Sequence, residues 1–400
     1  MKAVLLAAGE GNRMRPLTGN RPKVMLPIAN KPLLEHLLIE VKAAGIEDFV
    51  FIVGYCDEQV RNYFGGGEKW GVSIAYSEQR KQLGTADAIR MVEGMVDGNF
   101  MVVNGDVVVD RKDIRKLLKY NRNTMGVIEV NDPRGLGMVE ISGKKVTNIY
   151  EKTERPPTLV ANAGLYLFTP EVFQAISQTE KSPRGEYEIT DSLKILMGTP
   201  SGLFYQELKS WLDLSYPWDL LTANESMLSG LKGQNLGQVE ENVVLKGEVV
   251  IGEKTVIKSG TYIEGPVIIG AGCRIGPNCY IRPATSIGDN CHIGAAVEVK
   301  NSIIMNNTDF PHLNYVGDSV IGEGCNFGAG TKIANLRLDK QNIYVMGIDT
   351  RRRKLGAVIG DRVETGINTS INVGTMIGNH TFIGPGVVAS GVIAPDSKLF

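Results

Sequence analysis

The chain has 400 residues, 43% of them hydrophobic, which is enough to bury more than one core and makes two domains the first expectation. Its 43 Lys and Arg nearly balance 44 Asp and Glu, so no basic field exists to draw nucleic acid or an anionic membrane, and small-molecule substrates are the better expectation. Five cysteines with no CxxC pair speak against a disulfide framework or zinc knot. They point, with an opening MKAVLLAAGEGNRMRP that fits neither signal nor transit peptide, to a reducing cytoplasm.

In chain order, residues 1–228 alternate strand-like apolar runs (Val4 to Ala7, Phe49 to Val53, Phe100 to Val103, Leu165 to Phe168) with helix-like stretches such as Pro32 to Ala44. That alternation predicts an α/β domain with a largely parallel sheet. The first strand runs into Gly9, Gly11 and Arg13, a loop whose bare backbone can approach phosphate oxygens while Arg13 adds charge. It is neither a GK[ST] phosphate loop nor a GxGxxG dinucleotide loop. Further on, FMVVNGD sets Asp106 at the end of an apolar strand, where open α/β sheets bind ligands.

Over residues 229–400 the texture changes. Ile251, Ile257, Ile263, Ile269, Ile275, Ile281, Ile287, Ile293 and Val299 recur every sixth residue, often followed by Gly, which predicts a parallel β-helix of hexapeptide repeats. Cys273, Cys279 and Cys291 share one hexad position and read as packing residues. The register returns at Ile321, Phe327 and Ile333 and again from Ile359, so insertions are expected at about 303–318 and 335–358. Projecting loops are where repeat proteins place binding residues, and His312 falls in the first of these. Histidine suits removal of an amine proton near neutral pH.

The string LLAAGEGNRMRPLTGNRPKVMLPIANKPL resembles the signature of sugar-phosphate nucleotidylyltransferases, which implies a Rossmann-like fold for the first domain. The resemblance puts Gly11, Arg13 and Lys23 around a nucleoside triphosphate, UTP or dTTP. Gln79 falls on its base-reading Gln, and Gly84 and Thr85 lie beside base and sugar. Mg²⁺ falls on Asp106 and Asp219, and the sugar on Gly137, Glu151, Lys152 and Asn162.

The stretch VEVKNSIIMNNTDFPHLNYVGDSVIGEGCNFGAGT resembles the active-site run of glucosamine-1-phosphate acetyltransferases fused to uridylyltransferases. In that family the β-helix is left-handed and trimeric, with acetyl sites between neighbours, which implies a homotrimer or a multiple of one. The same resemblance makes His312 the base. It assigns Arg282 and Lys300 to the sugar phosphate, Tyr315, Asn326 and Asn335 to the acceptor, and Ala329 to the thioester of acetyl-CoA.

After Asn335 bacterial relatives continue with Tyr, where this chain has Leu336, and the choice between gluco and galacto sugars stays open. Arg351, Arg352 and Arg353 form a cationic cluster that reads equally as a contact for coenzyme A phosphates or as a solvated loop. The activity implied is synthesis of UDP-N-acetylglucosamine by acetyl transfer and then uridylyl transfer. Two other readings are a glucose- or mannose-1-phosphate nucleotidylyltransferase on a non-catalytic solenoid, and a non-enzymatic regulatory subunit of this architecture.

Overall fold

The computed structural model describes residues 1–133, 135–151 and 156–400. The apolar runs become β1 (Lys2–Ala7), β2 (Asp48–Val53), β3 (Ser73–Glu78) and β4 (Phe100–Asn104), which pair in parallel in the order β3-β2-β1-β4. The central residues of β1, β2 and β4 are buried, as parallel strands covered on both faces must be, whereas the edge strand β3 buries only Ile74. The helix α1 (Leu33–Ala44) turns Leu34, Leu37, Leu38 and Val41 to one side, and all four are buried.

Past β4 the sheet changes sense. It continues through β5 (Thr124–Glu129), β6 (Gly137–Ser142), β7 (Lys145–Glu151), β8 (Val160–Phe168) and β9 (Phe204–Glu207) in the order β4-β8-β5-β9-β7-β6. Here β8 is antiparallel to both β4 and β5, so the parallel expectation describes the first four strands and the second half is mixed. The two-residue turn Gly143-Lys144 allows β6 and β7 only an antiparallel pairing, because a parallel one needs a long crossover. Two further helices are α2 (Thr85–Arg90) and α3 (Asp219–Leu228).

The hexads build a parallel β-helix with three faces of nine, nine and eight short strands. Val250 pairs with Ile268 and Ile268 with Ser286, so one coil is three hexads. The sixth-residue isoleucines are fully buried along the axis, each worth about 1.5–3 kcal/mol relative to exposure. Cys273 and Cys279 pack on the same axis with their Sγ 3.0 and 2.8 Å from the Gly288 and Gly294 carbonyl oxygens, and burial pushes the Cys279 thiol up to about 11.

The segment 303–318 is not an insertion. It is a regular coil whose Ile304, Phe310 and Val316 fill the axis, Phe310 stacking on Phe327 of the next coil with ring centroids 4.1 Å apart. Ser286 pairs with Ile303, and Ile303 with Val320, each one residue short of the usual coil. The corners at Asn301 (φ 44°) and Asp318 (φ 50°) are tighter by that residue, which breaks a strict count of six while leaving the stack intact. His312 therefore ends a solenoid strand, Asp309–His312, instead of riding on a projecting loop. The second insertion does leave the stack: it carries an antiparallel pair, Tyr344–Val345 with Ile348–Asp349, closed by Met346 and Gly347 at positive φ.

Packing separates two compact units that do not follow one cut in the sequence. The first comprises Met1–Glu10, Arg21–Met25 and Leu33–Asp213; the second comprises Gly11–Asn20, Leu26–Pro32 and Leu214–Phe400. Within the second, α3 is fastened to the solenoid by the fully buried Asn224, which donates to the Ala284 carbonyl (3.0 Å) and accepts from the Ser286 hydroxyl (2.7 Å).

Candidate active sites

In the first unit, the backbone after β4 passes so close to β1 that a side chain at Gly105 would meet the Leu6 carbonyl oxygen at 2.3 Å. This turn delivers Asp106, whose carboxylate accepts from the Lys23 ammonium at 2.7 Å, a charge-assisted contact between a buried lysine and an acid about one-third exposed. The remaining acid surface offers hard oxygen donors. Among the described residues no group of three or more Asp, Glu, His or Cys side chains is placed to hold a metal ion by itself. One or two carboxylates completed by phosphate oxygens and water suit Mg²⁺, and the residues present fit it on those terms.

Gln79 is buried, and its amide donates at 3.0 Å both to the Gly84 carbonyl and to Asp87. Gly84 has φ 107°, and a Cβ there would lie 2.3 Å from the Tyr187 carbonyl oxygen, so only glycine fits. Thr85 opens α2, and its hydroxyl accepts the Ile189 N–H at 3.0 Å. Sequence reasoning missed Asp87, which ties Gln79 to α2 and reads in sequence as an ordinary helix acid.

Gly137 and Glu151 face each other across β6 and β7. A Cβ on Gly137 would sit 3.1 Å from the Glu151 carboxylate and 3.8 Å from Asn162 Cβ, so these three predicted sugar contacts converge. Asn162 is fixed by the buried Tyr166 hydroxyl at 2.8 and 3.0 Å, and burial holds that phenol well above its ordinary pKa. Lys152 lies outside the described residues.

Gly11, Arg13 and Asp219 belong to the second unit. Gly11 is left-handed (φ 68°), and its carbonyl accepts from Met14 N–H and the Thr18 hydroxyl. The Arg13 guanidinium lies 5.5 Å over the Tyr216 ring, and the Tyr216 N–H donates to Asp219 at 2.6 Å, so both residues meet through Tyr216 at the start of α3.

On the solenoid, Arg282 and Lys300 occupy the same corner of successive coils. Arg282 donates to Glu298 at 2.9 Å, and Lys300 pairs with Asp318 at 3.0 Å. The Asn335 amide donates to Asp318 at 2.5 Å and to the Tyr315 hydroxyl at 3.2 Å. Burial raises the Tyr315 pKa and the Asn335 contact only partly offsets it, so the phenol keeps its proton. Lys300, Tyr315 and Asn335 are thus gathered around an acid that sequence reasoning passed over, since Asp318 after Gly317 looks like any turn aspartate.

His312 and Asn326 stand exposed on the neighbouring face, on successive coils, and the chain turns the corner between His312 and Tyr315. The Ala329 carbonyl is taken by Asn368 N–H, leaving Ala329 half-buried beside Gly330. Of the arginine cluster, Arg352 is committed to α3, donating to Glu225 at 2.7 Å and to Thr222 at 2.9 Å, and Arg353 donates to the Lys340 carbonyl. Leu336 bridges to Lys354 at the base of the insertion.

Residues 2–230 match the family model described as nucleotidyl transferase. The bifunctional protein GlmU of Methanocaldococcus jannaschii is 41% identical over 96% of this chain and 93% of its own. The bifunctional sugar-1-phosphate nucleotidylyltransferase/acetyltransferase of Sulfurisphaera tokodaii is 40% identical over 98% of this chain and 97% of its own. The chain belongs to the bifunctional GlmU family. Membership makes it an enzyme with nucleotidyltransferase and acetyltransferase activity.

The GlmU assignment is flanked by two narrower likenesses. Residues 263–382 match the model described as GMPPB C-terminal domain. A solved structure of a putative glucose-1-phosphate thymidylyltransferase from Bacillus anthracis, in complex with a sucrose, matches at 29% identity and a TM-score of 0.53, covering 59% of this chain and 98% of that one. Among the described residues no helix is long and apolar enough to cross a membrane.

Proposed function

We propose that this protein makes UDP-N-acetylglucosamine in two steps, acetylating glucosamine 1-phosphate from acetyl-CoA and then joining the product to a uridylyl group from UTP. The observation that carries the reading is the gathering of Lys300, Tyr315 and Asn335 around Asp318 in a chain that is like bifunctional GlmU over nearly its whole length.

In acetyl transfer, Arg282 and Lys300 bind the sugar phosphate, while Tyr315, Asn326 and Asn335 hold the sugar and its amine. The amine attacks the thioester carbonyl beside Ala329; the C–N bond forms and the C–S bond breaks. His312 holds the proton lost by the amine and passes it to the departing thiolate.

In nucleotidyl transfer, a phosphate oxygen of the sugar 1-phosphate attacks the α-phosphorus in line and pyrophosphate leaves. Gly11, Arg13 and Lys23 position the triphosphate and neutralise it, Gln79 with Gly84 and Thr85 seats the base, and Gly137, Glu151, Lys152 and Asn162 receive the sugar. Asp106 and Asp219 would hold Mg²⁺, which when bound supplies charge neutralisation at the reacting phosphates.

The same proposal sets the domain boundary between residues 228 and 229, supported by a nucleotidyl transferase match ending at 230. It also takes the assembly to be a homotrimer or a multiple of one, and the location to be cytoplasmic, supported by five free cysteines.

A nucleotidylyltransferase on a non-catalytic solenoid is the second reading, favoured by the likenesses to the GMPPB C-terminal domain and the thymidylyltransferase. Purified protein with Mg²⁺, acetyl-CoA, UTP and glucosamine 1-phosphate separates them: release of both free thiol and pyrophosphate is expected. Pyrophosphate alone, with N-acetylglucosamine 1-phosphate supplied, establishes the second reading instead.

A further inference from the structure

Asp318 is 2% exposed. A buried carboxylate is costly unless it is paired and hydrogen-bonded, and this one is satisfied from the coils before and after its own. Its Oδ2 accepts from Lys300 Nζ at 3.0 Å and from Asn335 Nδ2 at 2.5 Å, and its Oδ1 accepts from Asn301 Nδ2 at 2.9 Å. A solenoid corner does not by itself call for an acid. Corners with the same positive φ carry the neutral amide at Asn278, Asn290, Asn301, Asn307 and Asn368.

What a carboxylate adds at this corner is acceptor-only chemistry. Two consequences follow for its neighbours. The Lys300 ammonium is anchored through one contact direction, with its other hydrogens left for a phosphate. The Asn335 amide is fixed in one of its two flips, because its NH₂ donates both to Asp318 and to the Tyr315 hydroxyl at 3.2 Å. The Asn335 oxygen is thereby kept as an acceptor, the polarity needed to receive a hydrogen from an amine.

We propose that Asp318 is a positioning residue of the acetyl-transfer site, orienting Lys300 toward the phosphate of the amino sugar and Asn335 toward its amine; this rests on the acetyltransferase reading above. An amide at 318 would keep the corner, since Asn tolerates the left-handed backbone. It would also remove the charge facing Lys300 and put an NH₂ at one of the two oxygen positions into which Lys300, Asn301 and Asn335 donate, loosening the Lys300 contact and the Asn335 flip.

The test uses full-length wild-type, Asp318→Asn, Lys300→Met and the double variant, with thiol release followed against glucosamine 1-phosphate at saturating acetyl-CoA. Pyrophosphate release from UTP and N-acetylglucosamine 1-phosphate, together with thermal unfolding, reports on the rest of the chain. Asp318→Asn is expected to raise KM for the amino sugar phosphate about tenfold and lower kcat about tenfold, roughly one hydrogen-bonded contact each, with KM for acetyl-CoA unchanged. In the Lys300→Met background the added KM effect shrinks below about twofold while the kcat effect persists.

Wild-type constants in Asp318→Asn overturn the proposal, as does a parallel loss of both activities with a lowered melting temperature. Comparing variants within the Lys300→Met background cancels any destabilisation common to both. If the wild-type protein itself releases no thiol, the acetyltransferase reading fails and the proposal falls with it; a normal wild type beside an unaffected Asp318→Asn sinks the proposal alone.

Discussion

The Lys23 ammonium lies 2.7 Å from the Asp106 carboxylate, so a cation and an acid far apart in sequence are paired at the end of β4. Lysine is nearly buried and the acid is not, which leaves Asp106 the accessible member of the pair. Asp106→Ala is expected to abolish pyrophosphate release, by at least about 10²–10³-fold, and to leave acetyl transfer within about twofold. Separate assays of pyrophosphate and thiol check it; equal loss of both would show that the two activities share a site.

His312 ends a strand of the solenoid and projects into solvent. Replacing it with alanine removes only an exposed side chain, so folding should be unchanged. Acetyl transfer should fall about 10²–10⁴-fold, the usual contribution of a general base, with nucleotidyl transfer intact. Thiol release at wild-type rate from His312→Ala would make the imidazole a bystander.

At Gly84 a methyl group would lie 2.3 Å from the Tyr187 carbonyl oxygen and 2.8 Å from its nitrogen, on a backbone with φ 107°. Gly84→Ala should therefore shift the loop that receives the Gln79 amide and cost about 1–3 kcal/mol in stability. The expected signature is a raised KM for the nucleoside triphosphate with unaltered acetyl transfer, measurable by initial rates at varied UTP.

Asp113 is buried, which by itself would raise its pKa, but the Lys116 ammonium and the N–H groups of Lys209 (2.6 Å) and Ser210 (3.1 Å) outweigh burial and hold it below the ordinary carboxylate range. A folded value below the unfolded one gives stability that is complete above the unfolded pKa, near about 4, and lost as pH falls through the folded value. Asp113→Asn should lower stability at pH 7 by about 1–3 kcal/mol, a deficit that narrows in acid. Urea unfolding at pH 7 and near pH 3 checks the sign.

The sequence by itself determined the solenoid. A six-residue aliphatic period admits few structures, because every sixth side chain must enter one narrow axis, and the isoleucines do so. Asp106, in the turn after β4, and the motif residues Lys23, Lys300, Tyr315 and Asn335 could be named as candidates because each falls in a short string with fixed spacing. A strict count of six, however, mistook 303–318 for an insertion, because two corners tighten by one residue without disturbing the pairing of Ile303 with Val320.

Only the tertiary structure decided which side chains meet. Asp318 joins Lys300 and Asn335 because coils stack residues about seventeen apart onto one corner, a neighbourhood with no local sequence mark. It also showed Arg352 engaged with Glu225 instead of free for a ligand, and the mixed half of the sheet that brings Gly137, Glu151 and Asn162 together. Periodicity fixes which face of an element is buried, whereas contacts between elements depend on register across the fold, and a linear pattern does not carry that information.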